Sequence, residues 1–213
     1  MATPPIPGVA PTGPPGRGSS RTLDWAWQLL LVGFALSVAI FALAGSWGVV
    51  AFSVGWCGGF GGLFYLGRRR FAALVPRLRF DRWPGFVVLC VAVTCTEESF
   101  AWATGARLAQ PILWVDLIWV CAGWTVWLLA WRQYLARQFT FSEKEALLAG
   151  GLVGVLFEQA GAGLFLRAPL EALILVPVET IVYSSIFLLP WLSMRHDGHR
   201  STWFRWPLAV ALP

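Results

Sequence analysis

Apolar residues run along this chain in continuous stretches instead of alternating with polar ones, and short Arg-, Gly- or Pro-containing breaks separate the stretches. Spans are read near 27–45, 47–66, 85–106, 111–131, 146–166 and 169–192. Crossing a hydrocarbon core of about 30 Å takes roughly 20 helical residues at about 1.5 Å each, which these stretches approach. Unbroken apolar runs predict helices, since membrane-barrel strands alternate. The expected fold is therefore all-α: a polytopic transmembrane helical bundle of about six spans over 25–192. A disordered Pro/Gly-rich tail over 1–24 precedes it and a basic tail over 193–213 follows.

Composition agrees with the pattern. Of the 213 residues 57% are hydrophobic and 13% charged, against roughly 25% charged in soluble domains. Six crossings put Arg17, Arg21, Arg68, Arg69, Arg70, Arg77, Arg79, Arg82, Arg132, Arg137, Lys144, Arg195, Arg200 and Arg205 on one side, and only Arg107 and Arg167 on the other. The positive-inside rule makes the first side cytoplasmic, so a multi-pass cell-membrane protein with both termini in the cytoplasm is expected. A basic face beside anionic lipid accounts for the net charge of +5 without a nucleic-acid partner. The first apolar run is long enough to span and lacks a small-residue cleavage site after it, so it reads as a retained helix. Cys57, Cys90, Cys95 and Cys121 lie within spans without CxxC spacing and read as small buried hydrophobes.

Three spans, a short outer loop around Ala109 to Pro111 and three more spans suggest two halves of inverted topology. Glu98-Ser99-Phe100-Ala101-Trp102 in the third span and Glu179-Thr180-Ile181-Val182-Tyr183 in the sixth share the order acid, hydroxyl, two apolar residues, aromatic. Gly55, Gly58, Gly59, Gly61 and Gly62 in the second span, and Gly150, Gly151, Gly154, Gly161 and Gly163 around the fifth, predict close helix packing and a central place for both. Most Trp residues near span ends form the expected aromatic belt, while Trp119, Trp124 and Trp127 lie deeper in the fourth span.

Five carboxylates lie inside the spans: Glu97, Glu98, Asp116, Glu158 and Glu179. Each costs about 2.5–3.5 kcal/mol to insert near a bilayer centre, which makes such residues functional candidates. Counting about 1.5 Å per residue from the outer ends places Asp116 about 8 Å deep, Glu158 about 12 Å, Glu98 about 13 Å and Glu179 about 15 Å. No Lys or Arg shares that slab. The acids must then hold protons, bind a cation or face water, or else glue helices together through Thr94, Thr96, Gln159, Thr180 and Tyr183. Glu97 and Glu98 point about 100° apart on a helix, which predicts that only one of them faces a common centre. Pro177 is expected to loosen the helix beside Glu179. Trp102, Tyr183, Trp119 and Thr180 are the candidate substrate-binding residues. The spans hold no His, and the His196-Asp197-Gly198-His199 segment reads as a juxtamembrane anchor, so neither a metal nor a cofactor is expected.

Thr96-Glu97-Glu98-Ser99-Phe100 and Val176-Pro177-Val178-Glu179-Thr180-Ile181-Val182-Tyr183 resemble the Pro-x-Glu-Glu-x-x-Phe segment of the membrane-integral lycopene cyclase domains. The match covers about fifteen residues, with Thr180 in place of the second acid and no Pro before Glu97. The resemblance implies paired three-helix halves and acid chemistry on a polyisoprenoid without net electron transfer. The Glu-Glu pair departs from intramembrane CAAX-type proteases, because Trp102 stands where they have Arg and their later His residues are missing. Three functions are compatible with these features: an enzyme doing acid–base catalysis on an apolar lipid or isoprenoid through Glu98, Glu179, Glu158, Asp116 and Glu97; a proton- or cation-coupled transporter; and a structural subunit. The expected partner is a membrane lipid or apolar small molecule, with a homo-oligomer or larger membrane complex also open.

Overall fold

The computed structural model describes residues 17–106, 112–161, 163–200 and 202–211, and of residues 17–20 and 211 only the backbone. Residues 1–16 of the N-terminal tail and the loop at Ala109–Pro111 lie outside the described residues. The chain folds as α1 (Arg17–Leu43), α2 (Trp47–Leu78), α3 (Trp83–Thr104), α4 (Leu113–Gln138), α5 (Glu143–Gly161), the single turn α6 (Leu164–Arg167), α7 (Pro169–Ser193) and α8 (Arg205–Ala211). It is an all-α bundle. Helices α1, α2, α3, α4 and α7 are each long and apolar enough to cross a membrane. Helix α5 has 19 residues, about 28 Å at 1.5 Å each, but carries Glu143, Lys144, Glu145 and Glu158 and is less apolar.

Helix boundaries follow local chemistry. Gly45 (φ 76°) and Gly105 (φ 72°) occupy the left-handed region just after α1 and α3, where a side chain would be strained. Pro84 opens α3, where a missing N–H costs nothing. Ser142 and Glu145 form a reciprocal cap at the start of α5: the Ser142 N–H donates to Glu145 Oε2 at 2.9 Å, and the Glu145 N–H to Ser142 Oγ at 3.3 Å. The fifth helix therefore starts earlier than the expected 146. Helix α1 also starts early, at Arg17, so Arg17–Asp24 is helical instead of part of the tail. Beyond its apolar run, α1 is held by an Asp24–Lys144 ion pair and by the Trp27 indole donating to the Lys144 carbonyl.

Four ion pairs among the described residues gather at one end of the bundle: Asp24–Lys144, Arg68–Glu143, Asp81–Arg195 and Arg205–Glu145. They tie together the start of α1, the latter part of α2, the turn before α3, the start of α5 and the segment after α7. The basic tail is folded against this end. Thr140 N–H donates to Arg200 O, Arg200 N–H to Gln138 O and Thr140 Oγ1 to Gly198 O, and Ala209 of α8 is fully buried.

Helix α7 is the centre of the bundle, packed by α1, α2, α3, α5 and α6. Its tightest neighbour is α5, where three glycines admit α7 side chains. A Cβ on Gly150 would lie 2.8 Å from Phe187, one on Gly151 2.6 Å from Ser184 Oγ, and one on Gly154 would collide with the Tyr183 ring. Helix α2 also packs along α7, yet not all of its glycines serve that packing: Gly58 and Gly59 are exposed with nothing within 4 Å of where a Cβ would stand, whereas Gly55, Trp56 and Gly61 face the core. Residues Val54–Gly61 wind as a π-helix, which turns fully buried Trp56 inward so that its indole donates to Ser185 Oγ of α7 at 2.7 Å.

Candidate functional site

The intramembrane acids do meet, in an order different from the expected one. Glu97 and Glu98 of α3 are both buried, at 4% and 5% exposure, and Asp116 of α4 is fully buried. Both adjacent glutamates face inward, contrary to the single-facing expectation, because α3 packs against α4 along one side and α7 along another. Glu98 lies beside both Glu97 and Asp116. Neighbouring carboxyl groups can share a proton between them, since a protonated one donates and an ionised one only accepts.

Glu158 and Glu179 differ in being only half-buried. Tyr183 Oη donates to Glu158 Oε1 at 2.6 Å, and Gln159 Nε2 donates to Glu179 Oε2 at 2.7 Å and to the Ala172 carbonyl at 2.9 Å. Glu158 lies within electrostatic reach of Glu97, Glu98, Asp116 and Glu179. Glu158 is thus a neighbour shared by Glu98 and Glu179.

The expected hydroxyl caps are absent from three positions. Thr94 donates to Cys90 O at 3.0 Å, Thr96 to Ala92 O at 2.7 Å and Thr180 to Val176 O at 2.7 Å, each satisfying its own helix. Among the described residues Glu97 Oε2 is buried with no hydrogen-bond partner. Thr180 is also packed against Gly151 and offers nothing to a ligand. Trp102 and Trp119 are 58% and 70% exposed on the outside of the bundle, so only Tyr183 of the four expected substrate-binding residues touches an acid. Near Pro177 the Ser37 hydroxyl of α1 donates to the Ile174 carbonyl at 2.5 Å, so α1 packs against this stretch of α7.

Below Tyr183 an aromatic column fills the bundle toward the basic end. Trp124 stacks on Tyr183 at 4.9 Å, Trp127 meets Trp124 and Phe187 at 5.2 Å each, and Trp131 meets Phe187 at 4.9 Å. Phe187 leads on to Trp191 at 6.0 Å, and Trp191 to His196 at 4.0 Å. The sequence marked Trp124 and Trp127 as deep, but a column across two helices has no local signature.

No set of three or more His, Cys, Asp or Glu side chains converges as metal ligands among the described residues. Cys95 and Cys121, side by side across α3 and α4 with sulfurs 3.0 Å apart, are free thiols. Comparison with known proteins yields no match to a family model, to a curated protein or to a solved structure.

Proposed function

We propose that this protein is a multi-pass membrane enzyme that moves protons on an apolar lipid or isoprenoid entering sideways from the bilayer. The observation that carries the reading is the two-tier arrangement of acids. Glu158 and Glu179 are half-buried beside a flank that shows Leu156 and Phe157, and fully or nearly fully buried Glu97, Glu98 and Asp116 stand behind them. Glu158 and Glu179 touch the substrate, and the buried trio supplies and recovers protons. In the reaction a carboxyl proton adds to one alkene carbon and a carboxylate removes a proton from another carbon. A double bond moves or a ring closes, atoms and electrons balance, and no redox cofactor is consumed. The resemblance to lycopene cyclase domains at Glu97–Phe100 and Val176–Tyr183 points to the same chemistry.

Two observations weigh against the alternatives. A proton- or cation-coupled transporter needs a path to both faces, and the column of Trp124, Trp127, Trp131 and Phe187, each at most 4% exposed, fills the way to the basic end. A purely structural role would cap every acid, yet only Glu158 and Glu179 receive expected caps, from Tyr183 and Gln159; the three threonines turn back to their own helices and Glu97 Oε2 has no partner among the described residues. In this reading all six long helices cross the cell membrane and the ion-paired end is cytoplasmic. Reporter fusions at Arg200 and in the 68–82 loop should report cytoplasm and one at Ala109 the outside.

The functional test is mass spectrometry of lipid extracts from cells with and without the protein. A product of unchanged mass should appear with the wild type and vanish with Glu158→Gln, which keeps size and fold but cannot shuttle a proton. Identical profiles for wild type and Glu158→Gln across isoprenoid-producing hosts would overturn the reading.

A further inference from the structure

A second site lies at the ion-paired end, and its chemistry is independent of the acid reading. A cavity of about 270 Å³ is lined by Asp81, Arg82, Trp83, Arg132, Arg137 and Arg195. Four arginines against one aspartate leave it net positive by three charges. At about 30 Å³ per water it has room for roughly nine waters, more than one phosphate group fills.

Local structure builds this cavity. Arg132 sits in the π-helical turn Trp131–Leu135 of α4, a distortion that recurs at functional positions. Its side chain is only 7% exposed, and its guanidinium lies 4.5 Å from the Phe86 ring centre and 5.2 Å from that of Trp83. Nη2 donates to the Asp81 carbonyl, but among the described residues Nη1 is buried without a hydrogen-bond partner. A buried unsatisfied guanidinium nitrogen is costly, and an anion in the adjoining cavity would satisfy it.

The floor of the site is the N-terminus of α3, a 22-residue helix whose N-cap Arg82 makes no side-chain cap bond. The positive dipole end of this helix adds to the field for an anion, although Pro84 offers no N–H of its own. The turn before it is rigid: Arg79 takes a left-handed conformation at φ 57°, and a Cβ on Gly85 would collide with the Arg79 carbonyl. Asp81 is held back by Arg195 at 3.8 Å. Arg137 and Arg195 are exposed and able to close on a ligand.

We propose that this cavity binds a phosphate- or diphosphate-bearing anion at the membrane surface, with Arg132 as its buried anchor and Arg82, Arg137 and Arg195 as its rim. Planar guanidinium groups with paired donors suit phosphate oxygens better than they suit a halide. Trp83, at 45% exposure, stands beside the site, where a lipid carrying that headgroup would leave the cavity for the bilayer.

The test uses purified full-length protein in phosphatidylcholine nanodiscs. One arm titrates inorganic diphosphate by calorimetry, and another adds phosphatidate to the nanodiscs and reads the melting temperature. Arg137→Gln and Arg82→Gln, both exposed, should each weaken binding about tenfold, the worth of one charge-assisted hydrogen bond. Arg132→Gln should weaken it at least as much, and Asp81→Asn should tighten it severalfold by removing the one negative charge. Arg69→Gln, on the exposed face of α2, should change nothing. A response to diphosphate alone assigns a free anion, and a response to phosphatidate a lipid headgroup. No response in either arm, or an equal loss in Arg69→Gln and Arg137→Gln, overturns the proposal.

Discussion

Helices α2 and α5 are both glycine-rich and have opposite fates. In α5, Gly150, Gly151 and Gly154 face Phe187, Ser184 and Tyr183 of α7 so closely that the added carbon of an alanine would not fit without movement. In α2, Gly58 and Gly59 face outward with empty space around them. Small residues permit close approach, but they do not choose a partner. The choice falls to what the opposite helix offers. Helix α7 presents large rings and hydroxyls at four-residue intervals, Thr180 and Ser184 on one row and Tyr183 and Phe187 on the next, and these dock against the α5 glycines. Helix α2 also packs along α7, but by larger side chains such as Trp56, whose indole donates to Ser185, and Gly58 and Gly59 take no part.

The largest effect that tests this contrast is at Gly154. A leucine there would drive into the Tyr183 ring and disturb the Tyr183–Glu158 hydrogen bond. Overpacking alone costs about 1–3 kcal/mol, and losing a buried hydrogen bond adds about 1 kcal/mol. Gly154→Leu should therefore lose roughly 3 kcal/mol or more, seen as a collapse of folded yield and melting temperature in detergent, with Gly154→Ala between it and wild type. Gly58→Leu, facing outward, should stay within about 0.5 kcal/mol of wild type. Equal losses at both positions would mean that Gly58 is as closely packed as Gly154.

This contrast also shows what was legible in the sequence. Continuous apolar runs sufficed for the all-α bundle and for most helix positions, because burying backbone in lipid leaves helices as the economical solution. The five acids were legible because a carboxyl group in an apolar run is conspicuous whatever its neighbours. Their wiring was not. That Glu158 neighbours both Glu98 and Glu179 depends on how α3, α4, α5 and α7 pack, and residues 60 apart in the chain carry no local trace of that. The outward turn of Trp102 and Trp119 was hidden for the same reason, since an apolar helix facing lipid and protein has no polar side to mark direction. One local signal was present and passed over: Ser142-Glu143-Lys144-Glu145 is a capping box immediately before an apolar run.

That cap gives the next contrast, at the two helix starts. Glu145 accepts from the Ser142 N–H and hydroxyl, and Arg205 of α8 approaches it at 2.5 Å. Loss of a cap costs about 1 kcal/mol and loss of a charge-assisted bond about 1.5–3 kcal/mol. Glu145→Ala should cost about 2–3 kcal/mol and free α8, seen as faster proteolysis within residues 202–211. Ser46, at the start of α2, makes no side-chain cap bond, so Ser46→Ala should be silent in the same melting and proteolysis measurements.

The smallest effect concerns the hydrogen bond between α2 and α7. Trp56 is fully buried, its indole N–H donates to Ser185 Oγ at 2.7 Å, and Ser185 in turn donates to the Val182 carbonyl at 2.6 Å. Ser185→Ala strands the indole N–H while leaving the ring contacts with Phe60 and Phe100 in place. Interhelical hydrogen bonds inside membrane proteins average about 0.6 kcal/mol and reach about 1.7 kcal/mol. The loss should therefore fall in that range, well below that of Gly154→Leu. Trp56→Phe removes the donor but also part of a large buried ring, so it should cost more by itself. In the double variant the added cost of Ser185→Ala should nearly vanish, because no donor remains to be stranded. If the two losses simply added, the hydrogen bond would contribute nothing, and packing would account for the contact between Trp56 and α7.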